Sequence, residues 1–166
     1  MLNRIKIYGR PDNKGIEVYY YPEQRAIYIT PTNCRWDWFT NIAGWLFPLK
    51  VNGRLVNRRW HQEVRKAWPH IKNYDYKYIF GYSKGGGQAQ YINDPFREEL
   101  YSIAGFPGYL SGALEGMLFY KRGDIVPLFS KRRYDRFKEF GNDGNFIQAH
   151  KWSREDIETI IDAVCK

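Results

Sequence analysis

The stretch KYIFGYSKGGGQAQ, Lys77 to Gln90, constrains this chain more than any other. Glycine weakens strands and helices alike, by roughly 1 kcal/mol per helical position relative to alanine, so four glycines around one serine signal a geometric need that outweighs propensity. The run Tyr76 to Phe80 reads as a strand, and the residues after Ser83 read as a helix ending before Pro95. Gly81, Ser83 and Gly85 then spell GxSxG at a strand-to-helix turn. In that context the pattern forms a nucleophile elbow, with the serine on a strained turn and its hydroxyl exposed at the carboxyl edge of a sheet. The residues two before and two after the serine approach one another too closely for side chains. A phosphate-binding loop fits worse, because neither GxxxxGK[ST] nor GxGxxG can be written over these residues.

The rest of the chain supplies a frame for such a turn. Arg4 to Tyr8, Ile16 to Tyr21 and Ala26 to Thr30 are rich in β-branched and aromatic residues, with Pro22 to Arg25 as a hairpin turn between the last two. Trp60, Val64 and Trp68 share one helical face, and Pro69 is expected to stop that helix. Leu100 to Ala104 and Met117 to Tyr120 read as further strands. In SREDIETIIDAVCK, Ser153 and Asp156 have capping-box spacing, and Ile157, Ile160, Ile161 and Val164 form one apolar stripe. A β-rich start followed by βαβ alternation predicts an α/β domain: a mostly parallel central sheet, an antiparallel N-terminal hairpin and helices on both faces.

At 166 residues the expectation is one domain spanning 1–166, with a core large enough to need no staples. The start MLNRIKIYGRPDNKG lacks a signal-peptide core and no run of ~18 apolar residues occurs, so the expected location is cytoplasmic, or outside the cell without a classical signal. Cys34 and Cys165 have neither CxxC spacing nor a histidine cluster, and are expected to be free thiols with no metal site. The formal charge of +8 favours a polyanionic partner, either nucleic acid or an anionic membrane surface. The densest basic run, Lys131 to Lys138, carries interleaved aromatics but no nucleic-acid-binding signature, and reads as a solvated loop or helix face. No specific nucleic-acid partner is expected, and oligomeric state is not legible.

A nucleophilic serine requires a base and an orienting acid, in the chain order Ser, Asp or Glu, His for this kind of elbow. Of three histidines, His61 and His70 precede Ser83, and His150 alone follows it. Asp124, directly after an apolar strand and before Pro127, should emerge at the same sheet edge; Asp135 and Asp143 are rivals in charged or glycine-rich surroundings.

Together these residues resemble the class 3 lipase family, which contains the fungal triacylglycerol lipases and has an α/β-hydrolase fold. The similarity runs in register from about Ile27 to Trp152. IYITPTNCRWDWFTNI resembles the family's oxyanion segment, with Thr32, Asp37 and Trp38 in corresponding places, although Thr30 and Pro31 stand where the family has arginine and glycine. GYSKGG resembles the elbow, with Tyr82 where histidine is common; GDIVP resembles the block holding the acid, and AHKW the last block. The resemblance implies a compact, minimal α/β-hydrolase fold with Ser83 as nucleophile, Asp124 as acid, His150 as base, and the backbone N–H groups of Thr32 and Lys84 as oxyanion hole. No metal or organic cofactor is implied. Gly105 to Gly116, FPGYLSGALE between glycines, is a poor candidate for a long helical lid.

The implied reaction is hydrolysis of carboxylic, lipid-type esters, by a lipase or phospholipase. A histidine base predicts that activity falls as pH drops through about 6.5, where a free imidazole becomes charged. Trp36 to Leu49 concentrates three tryptophans, two phenylalanines and three aliphatics, and could wall an acyl pocket, meet a lipid interface or pack in a core. A catalytically silent lipase-like module for structure or interaction is the alternative reading, since fold alone does not guarantee activity.

Overall fold

The structure of the protein is a computed structural model that describes residues 1–9, 15–31, 35–92, 97–142 and 145–166. The β-branched and aromatic segments at the start form β1 (Ile5–Tyr8), β2 (Val18–Tyr21) and β3 (Ala26–Ile29), which pair antiparallel in sequence order. Helix α1 (Arg35–Leu46), a small ribbon of β4 (Leu49–Val51) and β5 (Arg54–Val56), and α2 (Arg58–Ile71) then lead back to the sheet. β6 (Tyr78–Tyr82) lies parallel to β3. It is followed by α3 (Lys84–Ala89) and by β7 (Glu99–Ile103), β8 (Leu114–Arg122) and β9 (Tyr134–Asn142), all parallel to their neighbours. The seven-stranded order is β1-β2-β3-β6-β7-β8-β9. Two helices close the chain, α4 (Phe146–Ala149) and α5 (Arg154–Val164).

Side-chain alternation along the parallel strands divides the core into two layers. Ile27, Ile29, Ile79 and Leu100 face one way and pack with Val64, Ala67 and Ile71 of α2 and Ala89 of α3. Tyr28, Phe80, Tyr101, Ile103 and Phe119 face the other way, against Ile157, Ile160 and Ile161 of α5. Each fully buried aliphatic or aromatic side chain contributes about 1.5–3 kcal/mol relative to exposure, which is what makes both amphipathic helices adhere. The expected architecture is therefore present: a mostly parallel sheet, an antiparallel N-terminal hairpin and helices on both faces.

Helices α2 and α5 both begin at side-chain caps. The Asn57 side chain accepts from the N–H groups of Arg59 and Trp60 at the start of α2, and Ser153 and Asp156 form the expected reciprocal capping box at the start of α5. Asn57 is fully buried and also donates through Nδ2 to the Asn41 carbonyl at 2.9 Å, while Trp60 Nε1 donates to Asn41 Oδ1 at 2.8 Å. One asparagine thus starts α2 and fastens α1 beside it.

Two expectations are corrected. Pro69 does not stop α2, which continues to Ile71. In the last turn a proline removes a single ladder hydrogen bond, and the completely buried Ile71 side chain holds the extra residues in helical register. The basic run 131–138 is not one loop or helix face: only Lys131–Arg133 form a 3-10 turn, and the remaining residues begin β9, where Tyr134 is buried with Leu114 and Leu118 and sets the strand alternation. Among the described residues no helix is long and apolar enough to cross a membrane.

Candidate active site

The elbow follows from how β6 ends. In register, Ile29 of β3 faces Gly81, and Tyr82 faces Ile103 of β7, so the carboxyl ends of three strands lie side by side. Ser83 takes φ 53° and ψ −117°, a backbone conformation that non-glycine residues seldom occupy and that strain at functional sites commonly involves. It is held there by its own backbone: Ser83 N–H donates to the Ile103 carbonyl at 2.9 Å, and the Ser83 carbonyl accepts from Gly86 and Phe106 at 3.1 Å each.

The flanking glycines are required by space. A Cβ on Gly81 would stand 2.6 Å from Gly86 N and closer still to the Gly85 carbonyl; one on Gly85 would stand 2.7 Å from the Thr30 carbonyl and nearer to that of Ile29. All the obstructing atoms are backbone and cannot turn aside. The GxSxG spacing is thus the imprint of α3 lying against the ends of β3 and β6.

Asp124 arrives from β8. The strand ends in a turn in which Asp124 N–H donates to the Lys121 carbonyl at 3.2 Å, and the carboxylate points inward with its side chain 0% exposed. Its Oδ1 accepts from Val126 N–H at 2.9 Å. His150 follows α4, on a short connection to the capped start of α5. Its Nδ1 lies 3.0 and 3.1 Å from the two Asp124 carboxylate oxygens, and its Nε2 lies 3.0 Å from Ser83 Oγ. An ionised carboxylate only accepts, so Nδ1 must carry the proton; in the neutral ring Nε2 then has a free lone pair for the serine hydroxyl. The imidazole side chain is 23% exposed, open enough for a substrate to reach it.

Three residues expected from the sequence are therefore brought into one hydrogen-bonded line. Thr32, the other expected oxyanion donor, and Asp143 and Cys34 lie outside the described residues. Lys84 opens α3, where a backbone N–H has no acceptor within the helix. Asp135 is exposed on β9, and His61 and His70 sit on α2 with their rings against Tyr91 and Tyr8.

Other side-chain contacts at the site carry no sequence signal. Lys84 is 1% exposed, and its ammonium lies 3.0 Å from Glu63 Oε2, to which Gln88 Nε2 also donates at 2.7 Å. Glu63 reads in the sequence as an ordinary polar position of α2, and only the docking of α3 gives it this role. Tyr82 donates its hydroxyl to the His150 carbonyl, and Lys121 Nζ lies 3.2 Å from the Lys151 carbonyl. Beside them a cleft of about 250 Å³ has Tyr28, Thr30, Pro31, Tyr82 and Trp152 among its walls, together with the charged Arg4, Glu17 and Arg154. Directly after Asp124, Leu128 and Phe129 are 70% and 62% exposed, and Ile42, Leu46 and Phe47 are exposed on and after α1.

No protein-family model matches the sequence, and no curated protein matches it. Solved structures similar to this chain include lipase II from Rhizopus niveus, at 14% identity over 75% of this chain and 60% of that one, with a TM-score of 0.43. A triacylglycerol lipase from Penicillium expansum is similar at 19% identity over 87% and 70% of the two chains, with a TM-score of 0.45. The triacylglyceride lipase of Rhizomucor miehei is similar at 17% identity over 76% and 60%, with a TM-score of 0.42. The chain spans about 60% of the length of the R. niveus enzyme.

Proposed function

We propose that this protein is a serine hydrolase that cleaves carboxylic esters of lipid type, with Ser83 as nucleophile, His150 as general base and Asp124 as the acid that orients it. The observation carrying this reading is the continuous line from the buried Asp124 carboxylate through the His150 imidazole to the Ser83 hydroxyl, set on a strained turn at the sheet edge. In the proposed reaction His150 takes the Ser83 proton as Oγ attacks the ester carbonyl. The imidazolium then gives that proton to the departing alcohol, and water repeats the sequence on the acyl-enzyme. Asp124 stabilises the charged ring and fixes its tautomer. The Lys84 N–H would donate to the oxyanion, with Thr32 proposed as its companion; one such donor is typically worth ~3 kcal/mol of transition-state stabilisation. No cofactor is proposed.

The lipid-type substrate is supported by apolar side chains left exposed, Leu128 and Phe129 in the turn that follows Asp124, and Ile42, Leu46 and Phe47 on and just after α1. Exposed apolar groups of this kind favour contact with acyl chains or a lipid surface, and the net charge of +8 favours an anionic one. The test is turnover of a chain-length series of p-nitrophenyl esters by wild type and Ser83→Ala. Hydrolysis lost with the serine supports the reading; equal release by both proteins refutes it.

A further inference from the structure

The loop that presents His150 runs from the end of α4 to the start of α5, and its backbone is gripped from both sides. Tyr82 is the residue immediately before Ser83 on β6, and its hydroxyl donates to the carbonyl of His150 itself. The Tyr82 and His150 rings lie 5.7 Å apart, tilted by 43°. Lys121 stands near the end of β8, and its amide-to-turn neighbour Asp124 donates to the Lys121 carbonyl. Its ammonium reaches the carbonyl of Lys151 at 3.2 Å, Asp156 Oδ2 at 3.5 Å and the face of the Trp152 ring at 5.0 Å. Successive carbonyls of the loop are thus taken by one side chain from the strand bearing Ser83 and one from the strand bearing Asp124.

We propose that Tyr82 and Lys121 are positioning residues, a two-sided clamp that sets the imidazole of His150 at hydrogen-bonding distance from both Ser83 and Asp124. The proposal rests on the hydrolase reading. A turn residue with a partly exposed ring can swing; tying its backbone to the two strands that carry its partners makes the three groups move together. Neither donor touches the reacting atoms. Burial, with the nearby Asp124 charge, pushes the Tyr82 phenol up to about 12, against a smaller opposing effect of the Trp152 backbone, so the hydroxyl remains a donor across the working range. Catalytic geometry tolerates little error, since a misplacement near 1 Å costs about a hundredfold in rate.

The test uses the full chain with Tyr82→Phe, Lys121→Met and Lys121→Arg. For Tyr82→Phe and Lys121→Met the clamp predicts a fall in kcat on a p-nitrophenyl ester of roughly ten- to a hundredfold, with KM within about twofold of wild type. Lys121→Arg, which keeps a cationic donor, should recover most of the loss. Independently of turnover, deuterium uptake by a peptide covering 149–153 should quicken in Tyr82→Phe while peptides from β6 and α2 exchange as in wild type. Wild-type kcat with unchanged uptake in both Tyr82→Phe and Lys121→Met overturns the clamp, as does a loss confined to KM. If Tyr82→Phe does not fold, Lys121→Met and its arginine rescue carry the decision. Absence of Ser83-dependent turnover in wild type would defeat the hydrolase reading, and the uptake comparison would still decide whether the loop is clamped.

Discussion

Ser83 Oγ and His150 Nε2 stand 3.0 Å apart although the two residues are 67 positions apart in the chain. Nothing local to either residue produces that distance. It arises because β6, β7, β8 and β9 run parallel, so that β9 carries the chain through α4 to the same edge of the sheet at which β6 leads into Ser83 and β8 into Asp124, and because α5, starting just after His150, packs across the face bearing Phe80 and Tyr101.

Asp124→Asn should fold, since an amide oxygen can still accept from Val126 N–H, but it offers His150 an N–H as readily as an acceptor and so permits the wrong tautomer. Steady-state kinetics should show kcat reduced by about 10⁴-fold with KM little changed. Activity near wild type would remove Asp124 from its proposed role.

Gly85→Ala should be strongly destabilising, because its methyl group would meet the Ile29 and Thr30 carbonyls and only backbone movement relieves the clash. Overpacking of this kind costs about 1–3 kcal/mol, and more where backbone must shift. Urea unfolding measures it. Gly53→Ala serves as the contrast: a Cβ there has nothing within 4 Å, so its cost, at φ +80°, is conformational alone.

Glu63→Ala and Lys84→Met should differ sharply although they break the same ion pair. Removing Glu63 strands an ammonium that is 1% exposed, a change that typically costs about 3–5 kcal/mol. Removing the Lys84 charge leaves Glu63 partly exposed and still engaged by Gln88 and Arg59, and should cost less than half as much. Denaturant midpoints of the two variants decide it.

Stability should also respond to acid through Glu158. Burial alone would raise this carboxyl, but hydrogen bonds from Arg154 and from the Leu2 N–H, with the charges of Arg154 and Arg4, hold it below the ordinary glutamate value. The folded value is the lower one, so its contribution is present above the unfolded value and disappears as pH falls through the folded value. The difference in urea midpoint between wild type and Glu158→Gln should therefore shrink from pH 7 to pH 3. A constant difference would show that the charge is not what Glu158 contributes.

Much of this arrangement was legible in the residues themselves. GxSxG after an apolar run located the elbow because the close approach of α3 to the ends of β3 and β6 excludes every side chain at 81 and 85. The Ser153 cap placed α5, and the isoleucine stripe showed that it docks. His150 could be singled out by chain order and Asp124 ranked by its place directly after an apolar strand, but their distances depend on strand order, which periodicity does not encode. Pro69 misled because tertiary burial of Ile71 overrides a local stop, and Lys131–Lys138 misled because charge masks the strand alternation set by Tyr134. Glu63 and Lys121 were invisible: a polar residue acquires such a partner only when another element is laid against it.

The most direct measurement is the site of covalent modification by a fluorophosphonate, read by intact mass and peptide mapping. The account predicts one adduct per chain, on Ser83, absent in Ser83→Ala and formed far more slowly in His150→Ala. A wild-type chain that takes up no phosphonyl group, or takes it up equally when Ser83 is alanine, would contradict it.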